Sequence, residues 1–215
     1  MNNVNELLVR VYRLLAFVIL VAAVGAFTAF YNIDVFYDLS DKSLTWVYWV
    51  SVISLFVLIF VIHYVKDRVK AKYLLILFGF VTGLTFGPTI YNFAEAAAMF
   101  IVLESFLTTF IIFGLFSLVA MRSKDMTHFQ TPLMIVLIMI IILSVVNVFL
   151  GVPWVSTLIS IVAIILFSGF IVIDTQQILN GTVTDEVDAV LELFLDFINI
   201  FSSLLNLSGG GIDDD

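Results

Sequence analysis

Cysteine is absent from the 215-residue chain, which excludes disulfides and thiolate metal sites and leaves the redox compartment unread. Charge is scarce as well: 12% of residues are charged, where a soluble domain carries roughly a quarter. Nine basic residues stand against seventeen acidic ones, for a net charge of −8, and that balance argues against nucleic acid as a partner. Only two histidines occur, His63 and His128, far apart and without ligand spacing, so they offer little to a metal site.

What fills the chain instead is apolar length. With 62% hydrophobic residues and a mean hydropathy of +1.18, it reads as an all-α polytopic membrane protein whose first partner is the lipid bilayer. Seven apolar segments have the length needed to cross a hydrocarbon core of roughly 30 Å. They fall near residues 10–33, 44–65, 72–93, 97–121, 132–151, 154–178 and 187–207. A single domain over 1–207 and a flexible acidic tail over 208–215 are expected. Arg10 and Arg13 precede the first segment as in a secretory signal, yet the run is as long as a full span and no small-residue cleavage site follows Phe30. It is read as a retained helix.

Basic residues near helix ends stay on the cytoplasmic side. Arg10 and Arg13, then Lys66, Arg68, Lys70 and Lys72, then Arg122 and Lys124 all fall on one side of a seven-span chain, and Lys42 alone falls on the other. The N-terminus is therefore expected inside and the C-terminus outside, with a prokaryotic plasma membrane as the expected location. Trp46, Tyr48 and Trp49 read as an outer aromatic belt.

Two carboxylates break the last two apolar runs, Asp174 in the sixth and Asp196 in the seventh. An aspartate at the centre of a membrane helix costs roughly 2.5–3.5 kcal/mol on insertion scales, so it faces a bundle interior or a watered path unless it reaches the interface. Asp188, Glu192, Asp196, Asn199, Ser203 and Asn206 follow at spacings of four, four, three, four and three, one polar stripe on a helix. A surface-lying amphipathic helix would carry Lys and Arg on that stripe, and residues 187–207 contain neither. The stripe is therefore expected to face partners or water inside a bundle.

The other spans supply packing signals and a few polar groups. Gly79, Gly83 and Gly87 form a double small-xxx-small repeat that predicts close helix approach, with Thr82, Thr85, Thr89 and Asn92 beside it as interhelical or backbone hydrogen-bonding groups. Pro88 is expected to loosen the outer half of that span. Glu104, with Thr108 one turn on, is a functional candidate or a protonated structural acid. Ser144 and Asn147 of the fifth span are expected to pack.

These residues carry a resemblance. The segments FSGFIVIDTQQI and LELFLDFINIFSSLL resemble the signature pair of the transmembrane Bax-inhibitor motif family, and GFVTGLTFGPTIYNF, VLESFLTTFIIF and SVVNVFLG sit in the order that family shows. The likeness runs from about Ala71 to Leu207; the first two spans match in length and hydropathy alone. It implies seven transmembrane helices, the last of them central and wrapped by two three-helix groups. It also implies a calcium-permeable leak gated by protons, with Asp174 and Asp196 as paired sensor and candidate calcium ligands. Calcium is then a permeant ion and no cofactor is implied. Some bacterial members carry an arginine near the inner end of the second helix that pairs with the first aspartate. Here the zone reads HYVKDR, and Lys66 and Arg68 are the candidates for such a latch.

Two carboxylates within hydrogen-bonding range in a poorly solvated site cannot both ionise cheaply, so they share one proton. Losing it turns a hydrogen bond into a repulsion. Glu192, Asp196, Asn199, Ser203 and Glu104 would offer oxygen ligands of the kind calcium accepts. The acidic loop with Asp185, Glu186 and Asp188 reads either as a concentrator of cations or as a solvated turn. Intramembrane aspartyl proteases also pair aspartates, but with Gly-x-Gly-Asp at the second, where this chain has Leu193-Phe194-Leu195-Asp196. A proton-coupled transporter would show an inverted repeat, and none is visible. The main alternative to a leak is a non-conducting regulator that binds a membrane protease or a cell-death protein.

Overall fold

The computed structural model of the chain describes residues 2–41 and 43–209. The helices are α1 (Asn2–Tyr31), α2 (Ile33–Phe36), α3 (Trp46–Tyr64), α4 (Arg68–Glu95), α5 (Met99–Arg122), α6 (Gln130–Leu150), α7 (Pro153–Leu179) and α8 (Glu186–Gly209). Seven of them are long and apolar enough to cross a membrane. The short α2 leads into a two-stranded hairpin, β1 (Tyr37–Asp38) against β2 (Ser43–Leu44), with Tyr37 opposite Leu44. Lys42 and residues 210–215 of the acidic tail, on which two of the expectations above rest, lie outside the described residues.

Local chemistry fixes the helix ends. Asp67 caps α4, its Oδ1 accepting from the N–H groups of Val69 and Lys70. Gly151, at φ +60°, closes α6 in the left-handed conformation that glycine adopts without strain. Pro153 then opens α7 at a position where its missing N–H is no loss. The first span begins earlier than hydropathy suggests: Leu7, Val11, Leu14 and Val18 are buried at helical spacing, while Arg10 and Arg13 sit exposed between them. A segment interrupted by charges is still one amphipathic helix.

The chain gathers into two compact units, one of Glu6–Met99 with Asp185–Leu191, the other chiefly of Phe100–Thr184 and the chain from Glu192 onward. In the first, α1 and α4 touch backbone to backbone. A Cβ on Gly83 would collide with the Ala22 carbonyl, one on Gly87 with Ala29, one on Gly79 with Val18, and one on Gly25 of α1 with the Phe80 carbonyl. The glycine repeat of α4 is thus the seat of α1, as close approach requires. Thr82 and Thr85 donate to the carbonyls of Phe78 and Thr82 in their own helix. The α4 helix runs unbroken across Pro88. Trp46 and Trp49, at the start of α3, are exposed, as belt residues are.

In the second unit α5 turns Ser105, Thr109, Phe113, Ser117 and Ala120 inward. Phe106, Phe110 and Phe113 of α5 surround Phe197 of α8, with ring centroids 6.0, 5.0 and 6.0 Å away in edge-on arrangement. Gly169 of α7 faces the Leu133 side chain of α6. Every residue from Ile171 to Ile178 is buried, so the turn carrying Asp174 is enclosed on all its faces.

Candidate functional site

Asp174 lies in the last turns of α7, about five residues or ~8 Å from its end. It is 8% exposed, and Asp196 of α8 is 4% exposed. The two carboxyls lie close enough to act directly on each other. A hydrogen bond between them requires that one carry a proton, because an ionised carboxylate accepts and cannot donate. Asp196 Oδ2 is buried and meets no N–H or hydroxyl donor among the described residues. Glu192, one turn before Asp196, lies near both. Phe197, next in sequence to Asp196, carries the aromatic cluster that keeps this stretch of the helix apolar.

The polar stripe of α8 is enclosed in its middle and open toward its ends. Glu192 and Asn206 are exposed, Asn199 and Ser203 are half-buried, and Asp196 between them is sealed. Asn199 donates to the Leu195 carbonyl of its own helix at 2.7 Å. Asn206 Oδ1 accepts from Ser156 and Ser160 of α7, each at 3.2 Å. The far end of the α7–α8 pair is thus also joined by polar groups.

Glu104 does not turn inward: it is exposed beside Leu103, Leu107 and Ile111, because the buried face of α5 passes through Ser105 and Thr109, one residue round the helix. Of the two latch candidates, Lys66 is exposed. Arg68 is engaged by the start of α8, its Nε donating to Asp185 Oδ2 at 2.6 Å and its Nη2 to Asp188 Oδ2 at 2.6 Å. Lys72 donates to Glu186 at 3.0 Å. Among the described residues no group of three or more His, Asp or Glu is placed to hold a metal ion.

Two residues carry more than the sequence reading gave them. Asp185 caps α8, its Oδ1 accepting from the N–H groups of Val187 and Asp188, while Oδ2 holds Arg68. Partial burial pushes its carboxyl up, and the Arg68 guanidinium with those N–H groups more than reverses this, leaving it below the ordinary aspartate value. An acid three residues after Asp185, ahead of an apolar run, is the cap signature that was there to be read. Gln176, two residues after Asp174, is buried and bonded to the end of α5 and the chain that follows it. Its only signal was a polar side chain inside a quoted motif.

Known proteins align along most of this architecture. An uncharacterized protein of Campylobacter jejuni is 35% identical over 202 residues, covering 92% of this chain and 85% of the relative. One from Helicobacter pylori is 30% identical over 200 residues, covering 92% and 84%. An uncharacterized membrane protein of Streptococcus pyogenes is 31% identical over 153 residues, 67% of this chain and 65% of the relative. The family model described as "Inhibitor of apoptosis-promoting Bax1" matches residues 4–212, a stretch holding all seven spans and the Asp174–Asp196 pair, and the chain is an integral membrane protein that belongs to that family.

Proposed function

We propose that the protein is a calcium-permeable leak of a bacterial plasma membrane, held closed by one proton shared between Asp174 and Asp196. The observation that carries the reading is the close approach of two enclosed carboxyls on successive membrane helices. With its proton the pair is neutral and tolerable in a dry site; without it, at least one ion is buried and two like charges face each other. Deprotonation therefore favours a state in which α7 and α8 part and water reaches both groups. Glu192, Asn199 and Ser203, which flank the sealed Asp196 on the same stripe, then offer oxygens to a passing divalent cation.

The sign follows from linkage. The closed state binds the shared proton more tightly than the open one, so its advantage is complete at low pH and is lost as pH rises through the closed-state titration. Calcium flux into liposomes holding the purified protein is expected to rise with pH, and Asp196→Asn to flatten that rise. A leak that instead grows on acidification, in wild type and in the Asn variant alike, places the gate elsewhere. A second reading draws on the family's own description and on α6, none of whose residues is buried within the chain. It is a non-conducting regulator, and liposomes without flux at any pH would favour it.

A further inference from the structure

Gln176 is 3% exposed, yet both ends of its amide are in use. Its Oε1 accepts from the Met126 N–H at 2.7 Å. Its Nε2 is directed at the Ser123 hydroxyl oxygen and the Lys124 carbonyl, both at 3.0 Å, and at the Ala120 carbonyl at 3.3 Å. Two N–H groups facing three acceptors means that at least one bond is shared. All four partners belong to the last turn of α5 and the chain leading to α6, 50 to 56 positions earlier in sequence. Such a set of contacts fixes both the depth and the rotation of α7, because three of the four partner atoms are backbone and cannot swing away.

Rotation is what the carboxyl pair needs. Residues two apart on a helix point about 200° away from each other, so a Gln176 anchored on α5 turns Asp174 away from that contact and toward α8. We propose that Gln176 is the positioning residue of the pair: by clamping α7 to the end of α5 and the following connection, it sets the rotation that brings Asp174 onto Asp196. The clamp is neutral and buried, and so works alike at every pH. Among the described residues the ionisable groups placed to act on Asp174 are Asp196 and Glu192, both from α8. A change at Gln176 therefore reaches the pair through geometry and not through charge. The functional weight of this clamp rests on the leak reading above; its existence does not.

The test uses the full chain in lipid nanodiscs and two readouts that need no flux. One is hydrogen exchange at the Met126 amide. The other is the infrared band of the protonated carboxyl, titrated against pH and assigned to the pair by its loss in Asp196→Asn. Gln176→Leu is expected to speed Met126 exchange by roughly tenfold or more and to move the titration midpoint by about half a pH unit or more. Should that variant not fold, Gln176→Asn, which keeps the amide but shortens its reach by one methylene, is expected to move both readouts in the same directions. Unchanged Met126 exchange would overturn the clamp. Faster exchange with an unmoved midpoint would overturn the positioning role. A protein that conducts nothing, yet shows both shifts, would leave the clamp standing and remove the leak.

Discussion

Asp196 holds an oxygen that no N–H or hydroxyl donor reaches, in a helix lined with phenylalanine. An ionised carboxylate there would be an unpaired buried charge, and the shared proton proposed above is what would make the position tenable. The partner's identity then decides how a substitution acts. Asp174→Asn keeps a neutral hydrogen-bonding group opposite Asp196 and is expected to flatten the pH dependence with little change at low pH. Asp174→Ala removes the partner, and leaving a buried polar group unmet costs about 1–3 kcal/mol, equivalent to a leak raised some 5- to 150-fold at acidic pH. Liposome flux at a single low pH separates the two variants. Both aspartates were legible in the sequence because each interrupts an apolar run. Gln176 was not, because its partners are mostly backbone atoms fifty or more positions away, and backbone groups leave no mark on a sequence. Glu104 was legible as an acid in a span, but hydropathy does not tell which way a nearly uniform helix is rotated, and it faces outward.

Between helices, contact distance rather than apolar area decides stability, since lipid is as apolar as the side chains it would replace. Gly83 and Gly114 make a clean comparison. A Cβ on Gly83 meets the backbone of Ala22, which cannot yield without moving α1, whereas a Cβ on Gly114 meets nothing within 4 Å. Gly83→Ala is expected to lower stability in detergent by about 1–3 kcal/mol. Gly114→Ala is expected to be neutral or slightly stabilising, by up to roughly 1 kcal/mol of helix propensity. Equal melting temperatures would deny the close approach. The start of α8 is held differently, by Arg68 on Asp185 and Asp188, with side chains of Arg68 and Asp185 36% and 32% exposed. Pairs this wet contribute little alone and are screened by salt. Because the Asp185 carboxyl stands below its ordinary value, its contribution is whole above the unfolded value near roughly 3.9 and is lost as pH falls through the folded one. Thermal stability is expected to drop below about pH 4 in wild type and less so in Arg68→Gln. The glycine repeat was legible from spacing, and the structure supplied its partner. The α2 helix and the two-residue strands after it were not, because four residues and two carry no period to detect.

For the whole molecule, the distribution of basic residues governs which way the chain sits in the membrane. Seven crossings are expected to put the termini on opposite sides, and with them the three clusters of basic residues at α1's start, between α3 and α4, and at the end of α5 are expected to share one side. Arg10 and Arg13 lie inside α1, but the helix has length to spare: from Leu14 to Tyr31 it still rises about 27 Å, close to a full hydrocarbon thickness of roughly 30 Å. Both arginines can therefore remain at the inner headgroups while the rest of α1 spans. The side of these clusters is expected to be the cytoplasm, which also places the α7–α8 connection and the nearby Asp174 within reach of cytoplasmic pH. The absence of cysteine makes this measurable without background. Single cysteines at Thr182, in the α7–α8 connection, and at Ser40, in the hairpin loop, should behave oppositely in intact cells. A membrane-impermeant thiol reagent is expected to label Ser40→Cys and to spare Thr182→Cys until the cells are opened. Labelling of Thr182→Cys in intact cells would invert the molecule and expose its proton pair to the outside medium instead.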